Sequence, residues 1–408
     1  MSLNRRVPPV WLMGLSNTSF GLVGGFIAFT LPQVLAAQRM PETTIAAVTA
    51  VTFSPLSFMF LFSPMLDVWF SRRWYAAVLT ILGAVLVGIS VMNIHHLLLL
   101  KIAIVAGVAA MSLAGAALCG WLSTVARKED ENQLSAWLTV ANFSGFGIMS
   151  IIGAEMIEHL PMPVAAFLLT SIILVPASIF LWIPPPGSDL LLAGESFRAF
   201  WADVFALLGR RQVLVAIALF LSPCATFSLT NILGGLGNDF HAAPRVVSLL
   251  GGSGVVVAGI CGSLLLPILA KRMSLRPLYL TIGAVGGVFT LGLILLSRTP
   301  GSFALALIGE NIFQSLAITC SIAIVFEITG RDNPLAATTF ALLSAAYAFA
   351  IVYMPVVDGW GYGLRGVAGA FAVDAGIGIA ACLMMGLLLF LLHRTDMERL
   401  PVQAQTVG

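Results

Sequence analysis

The chain has 408 residues, of which 59% are hydrophobic and only 9% charged, with a mean hydropathy of +1.01. A soluble domain carries about 25% charged residues, so this chain cannot cover itself with a water-facing surface. A net charge of +2, with no basic tail, excludes a nucleic-acid binder.

Read in chain order, the apolar runs predict twelve membrane helices, since a bilayer span needs about 20 apolar residues. They fall at 10–36, 43–66, 74–93, 97–125, 134–156, 162–183, 212–236, 245–270, 276–297, 301–328, 334–357 and 366–393, punctuated by Pro, Gly and charge. The first begins after Arg5 and Arg6, and its run from Val10 to Leu31 is too long for the core of a secretory signal. With the N-terminus inside, the inner segments hold Arg5, Arg6, Arg72, Arg73, Arg127, Lys128, Arg210, Arg211, Lys271 and Arg272 among others. The outer segments hold only Arg39, Arg245, Arg298 and Arg365. The bias predicts an inner-membrane protein with both termini cytoplasmic.

The longest connection opens with Pro184-Pro185-Pro186 and then places Phe197, Phe200, Val204 and Leu207 at helical spacing. A short amphipathic helix on the inner membrane face is expected there. It divides the chain into a six-span bundle at 1–184, a linker at 185–211 and a second bundle at 212–408.

The two halves share a trace of repetition. The loop from Pro64 to Arg73 and the loop from Pro267 to Arg276 match at Pro, Leu, Ser and Arg with a constant offset. Parallel six-helix repeats about an axis normal to the membrane describe the major facilitator architecture. The segment with Asp67, Arg72 and Arg73 resembles the loop signature of that superfamily, with Ser63, Val68 and Phe70 departing from it. The resemblance implies a latch between the halves. Three stretches look like the AmpG-type muropeptide permeases, a group with siderophore importers and acetyl-CoA transporters. They are Gly14-Leu15-Ser16 with Gly21 and Phe62 to Asp67, then Glu310-Asn311-Ile312-Phe313, then Ala337 to Ser344. That group carries an aspartate in span 4, where this chain reads Leu118-Cys119-Gly120-Trp121-Leu122.

Ionisable side chains within a span cost about 2.5–3.5 kcal/mol on insertion scales, so each needs a reason. The candidates are Lys101, Glu155, Glu310, Glu327 and Asp374. Lys101 in span 4 and Glu310 in span 10 occupy equivalent helices of the repeat, and the resemblance implies that spans 1, 4, 7 and 10 line a central cavity. Glu310 is assigned proton coupling, and Lys101 either attraction of an anionic substrate group or pairing with Glu310. Gln314 and Ser321 share the face of Glu310 at 100° per residue, and Asn311 adjoins it. Asn17 and Gln33 in span 1, and Thr226, Thr230 and Asn231 in span 7, are further cavity candidates. Asp374 on span 12 is expected in a structural pairing. Gly21 and Gly25 form a small-residue motif for close helix packing.

These features predict a proton-coupled importer of a small solute, muropeptide-like or siderophore-like, working as a monomer without cofactor or metal. Gly145, Gly147 and Gly153 in span 5 faintly resemble a drug–proton antiporter motif, which keeps efflux as the alternative. The five cysteines have no metal or disulfide spacing. An enzyme is not expected: no Gly-X-Ser-X-Gly elbow, His-Glu-X-X-His motif or P-loop occurs.

Overall fold

A computed structural model describes residues 8–185, 202, 205–331 and 333–405. These residues are almost wholly helical. Nine helical segments among them are long and apolar enough to cross a membrane, the last running Ala336–Leu392. That last segment is two antiparallel helices. Arg365 and Gly366 leave helical geometry, Gly366 with a φ of 59°, and a Cβ placed on Gly361 would press on the Gly369 carbonyl. Only a chain reversal brings these glycines together.

The helices are numbered in chain order. The first half holds α1 (Val10–Ala37), α2 (42–67), α3 (Arg72–Met92), α4 (Leu97–Val125), α5 (Glu131–His159) and α6 (Met162–Leu181). The second holds α7 (211–240), α8 (244–269), α9 (Leu275–Leu293), α10 (Pro300–Thr329), α11 (336–364) and α12 (367–392). Two of these are interrupted. α2 ends in a 3₁₀ stretch, Met59–Asp67, around Pro64. α7 breaks after Leu221 and resumes at Leu229, where the sequence predicted one continuous span. Ser222-Pro223 starts the break, because proline lacks the N–H that the helix ladder needs. Phe227 sits in the left-handed region, with a φ of 49°.

Buried side chains fall into clusters that mostly follow the two halves. One joins α1 with α3, α4 and α6 through Phe26, Val87 and Leu169, and another joins α7, α9, α10 and α12 through Phe220, Tyr279 and Cys320. The outer surface is the reverse of a soluble protein's. Phe167, Leu383 and Met384 are each about 70% exposed, an apolar belt of the kind lipid covers. The segment expected as an amphipathic helix lies largely outside the described residues. Its described end, 205–209, is helical, with Leu207 buried in the second-half core and Phe205 exposed.

Close crossings depend on glycine at particular points. A Cβ on Gly21 would collide with the Asn142 carbonyl of α5, and one on Gly25 with that of Phe146, as expected of a small-residue motif. Gly145, Gly147 and Gly153 face Thr18, Val256 and Thr30 in the same way. The antiporter-like glycines of α5 are therefore packing surfaces.

Candidate functional site

Three assemblies gather the polar side chains: a latch, a central cavity and a group of buried acids.

The latch sits at the end of the bundle where α1 begins and α12 finishes. Asp67 accepts hydrogen bonds from Arg72 Nε (2.6 Å), the backbone N–H groups of Ala337 (3.2 Å) and Thr338 (2.8 Å), and Thr338 Oγ1 (2.6 Å). Its carboxylate thus caps the start of α11 across the two halves, where the helix leaves N–H groups without intrahelical partners. Arg72 is buried and carries the contact onward to the carbonyls of Pro334 and Asn333. Arg331 donates to the Ala126 carbonyl at 2.9 Å. Gly120 lets α4 approach Ala337, whose backbone a Cβ would meet at 2.6 Å. Arg73, expected in the same latch, instead lies over the Trp121 ring, 5.9 Å from its centroid.

Above the latch lies a central cavity of about 260 Å³, walled by α1, α2, α4 and α5 on one side and α7, α10 and α11 on the other. Asn17 and Ser321 line it as expected. Asn17 Nδ2 donates to the Leu138 carbonyl at 3.2 Å, fixing α1 to α5. Asn142, Ser112 and Ser344 also line it. Span 5 shows Asn142 as an amide inside an apolar run, a signal that a search limited to ionisable residues passes over.

The acids lie in the second half, away from that cavity's lining. Glu310 is fully buried, and its carboxyl meets Thr290 Oγ1 of α9. Asp358 and Asp374 both meet Ser228 Oγ, which lies where α7 resumes; the Asp374 contact is 2.9 Å. Asp374 and Asp358 lie within electrostatic reach of Glu310. Among the described residues no Lys, Arg or His forms an ion pair with any of the three. Asp358 was not anticipated, because the sequence reading ended span 11 at 357; α11 continues beyond it.

Counting hydrogens gives this group its chemistry. A hydroxyl donates one hydrogen bond and accepts others, and an ionised carboxylate only accepts. Thr290 Oγ1 lies within hydrogen-bond distance of both the Gly286 carbonyl (3.0 Å) and the Glu310 carboxyl; its single hydrogen serves one of them, and a proton on Glu310 would fill both contacts. Ser228 cannot donate to Asp358 and Asp374 at once. One of these two acids must supply the second hydrogen. Glu310 Oε2 and Asp358 Oδ1 are buried with no partner.

The break in α7 exposes backbone that neighbouring helices satisfy, as non-helical chain at membrane depth requires. Gln314 of α10 donates to Thr230 Oγ1 (2.6 Å) and the Phe227 carbonyl (3.4 Å). Tyr353 donates to the Leu221 carbonyl and Cys382 to that of Cys224. A cavity of about 10 Å³, room for roughly one water, lies between the broken strand and Asp374.

Several expected roles change. Lys101 makes no ion pair among the described residues and does not line the cavity, so it does not face Glu310 across it. Gln33 and Asn231 are exposed and stand outside the cavity lining. Asn311 donates to the Leu307 carbonyl within its own helix. Glu155 is exposed beside His159 at 3.3 Å, and Glu327 is exposed. Among the described residues no His, Cys, Asp and Glu group suits a metal ion.

With this geometry in view, comparison with known proteins gives a consistent picture. The family model of the Major Facilitator Superfamily matches residues 13–234 and again 215–406. The anhydromuropeptide permeases of Escherichia coli K12 and O157:H7 are each 28% identical over 240 residues, 56% of this chain and 47% of theirs. The chain thus aligns with about half the length of those relatives. Among solved structures, FucP in its outward conformation superposes with a TM-score of 0.69 at 12% identity, covering 92% of this chain and 98% of that one. The proton:xylose symporter XylE gives 0.67 at 16%, covering 92% and 94%. The human organic anion transporter TETRAN gives 0.67 at 17%, covering 94% and 100%.

Proposed function

The chain belongs to the major facilitator superfamily, and from that premise we propose that it is a proton-coupled importer of a small solute in a bacterial inner membrane. It has twelve spans, both termini cytoplasmic, and bundles at 1–184 and 212–408 joined by the linker 185–211. It works as a monomer, and the bundles rock about the central cavity so that the solute meets one side of the membrane at a time.

The observation that carries the coupling is the hydrogen count among Glu310, Asp358 and Asp374. Their two hydroxyl partners supply too few hydrogens for the contacts present, and a bound proton supplies what is missing. Glu310 takes its proton against Thr290, and the aspartates share one across Ser228. Ser228 begins the resumed part of α7, and Gln314 ties that part to α10, the helix of Glu310. Loss of a proton there changes how α7 and α10 are held, and both line the cavity. Closure at the other end falls to Asp67 and Arg72. XylE, a proton symporter by its description, supports the same reading by analogy. The α5 glycines sit at close helix crossings and lend efflux no support beyond their spacing.

The test uses purified protein in liposomes under an imposed inward proton gradient, with internal pH followed as candidate solutes are added. Solute-dependent acidification in the wild type and its loss in Glu310→Gln is the expected result. Acidification that persists undiminished in Glu310→Gln removes Glu310 from coupling.

A further inference from the structure

Among the described residues the central cavity is lined by no charge: no Asp, Glu, Lys, Arg or His, although it is built from both halves and lies where a transported solute would sit. Lys101, the cation that an anionic substrate would need, stands outside it. The latch charges below it are committed: Asp67 and Arg72 satisfy each other and the start of α11. A charged solute in this cavity would be desolvated with no opposite charge to meet, which is heavily unfavourable.

What the walls do offer is aromatic and apolar surface with a few hydrogen-bonding points. Phe60, Phe220 and Phe340 contribute rings from α2, α7 and α11. Asn142 and Ser112 on one half, and Ser344 on the other, are partly exposed side chains with no hydrogen bond among the described residues. Polar groups of this kind orient a ligand, and the apolar wall supplies most of its burial. Unbonded groups on opposite walls can be bridged only by a solute that carries polar groups at both ends.

We infer that the transported solute is a small uncharged molecule with a flat apolar body and hydrogen-bonding groups at its edges, held between Asn142 and Ser112 on one wall and Ser344 on the other. This rests on the transporter reading and narrows it. It separates the chain from the anhydromuropeptide cargo that its curated relatives are named for. A volume of about 260 Å³, near the lower end of the about 300–1,000 Å³ of small-ligand pockets, agrees with a compact solute.

The experiment has two arms. In the first, proteoliposomes receive an equimolar mixture of N-acetyltryptophanamide (uncharged), N-acetyltryptophan (anionic), tryptamine (cationic) and an anhydromuropeptide. Initial uptake is read by mass spectrometry against protein-free liposomes. In the second, the Ser344→Cys variant is treated with methyl methanethiosulfonate and with its sulfonatoethyl and trimethylammonioethyl analogues, each rate divided by that on a free thiol. The variant is made in a background with the exposed Cys261 and the cavity-lining Cys119 replaced by Ala, so that labelling reports the introduced thiol. The expected result is protein-dependent uptake confined to the uncharged solute, with the uncharged reagent favoured over both charged ones by about tenfold or more, the ratio of a 1.4 kcal/mol difference. Uptake of the anhydromuropeptide or of N-acetyltryptophan overturns the inference. Where nothing in the mixture moves, the labelling decides: a charged reagent reacting as fast as the uncharged one overturns it. Labelling reads the cavity without transport, so failed uptake with selective labelling counts against the transporter reading alone. Uptake of the uncharged solute without proton movement counts against coupling alone.

Discussion

Asp67 in the first half and the three acids of the second half are all buried carboxyls, yet their surroundings are opposite. Asp67 receives four hydrogen bonds, one from a guanidinium and two from a helix N-terminus. Glu310, Asp358 and Asp374 together meet two hydroxyls, and two of their oxygens meet nothing. The first arrangement suits a permanent charge and the second a proton that comes and goes. On the proposed function, closure falls to one half and coupling to the other. The loop equivalent to the latch differs in the same place: Ala270 stands where the repeat would align Asp67.

This contrast can be broken or sharpened by substitution, with thermal unfolding measured in one fixed lipid–detergent mixture. The largest effect is expected at Asp67→Asn, which removes the buried carboxylate that Arg72 and the start of α11 share; removing one partner of a buried pair costs about 3–5 kcal/mol. A melting temperature unchanged in this variant would deny the latch its charge. Thr338→Ala removes one hydroxyl from the same carboxylate and should cost about 1.5–3 kcal/mol, the range for hydrogen bonds to charged groups. Gly283→Ala drives a methyl into the Cys224 carbonyl where α7 is broken. Overpacking of that kind costs about 1–3 kcal/mol, read as a lower melting temperature.

Glu310→Gln is expected to behave unlike Asp67→Asn. An amide can donate to Thr290 as a neutral carboxyl does, so stability should stay within about 1 kcal/mol of wild type while solute-driven proton movement is lost. A strongly destabilised Glu310→Gln would show that the carboxyl is held as an anion. The smallest effect belongs to Lys101→Gln. This half-buried lysine has no ion pair, and surface changes of this sort usually stay within about 0.5 kcal/mol. Uptake that fell sharply in this variant would return Lys101 to the solute path.

Much of this was legible in the sequence. Apolar run lengths located the helices, and Asp67 with Arg72 stood out by type and spacing before the structure joined them to the start of α11. Glu310 and Asp374 stood out because an acid in an apolar run is expensive. The break in α7 has its signal in Ser222-Pro223 within the apolar run, but the donors that sustain it come from three other helices and carry none. Asp358 was lost to a helix boundary placed one residue short. Lys101 and Glu310 were set face to face by the repeat, which fixes the helix a residue occupies but not the neighbour its side chain meets. Glu310 turns to α9, whose Thr290 carries no signal of its own. The uncharged cavity could not be read from any single helix, because it is a property of seven walls together.

The most direct test of the central claim needs no solute: the infrared spectrum of the protein in lipid at neutral pH, in the region of the carbonyl band of un-ionised carboxylic acids. The account predicts such a band in the wild type, reduced in Glu310→Gln and in Asp358→Asn and unchanged in Lys101→Gln. A wild-type spectrum with carboxylate bands alone would mean that the second-half acids hold no proton, and the coupling assigned to them would be wrong.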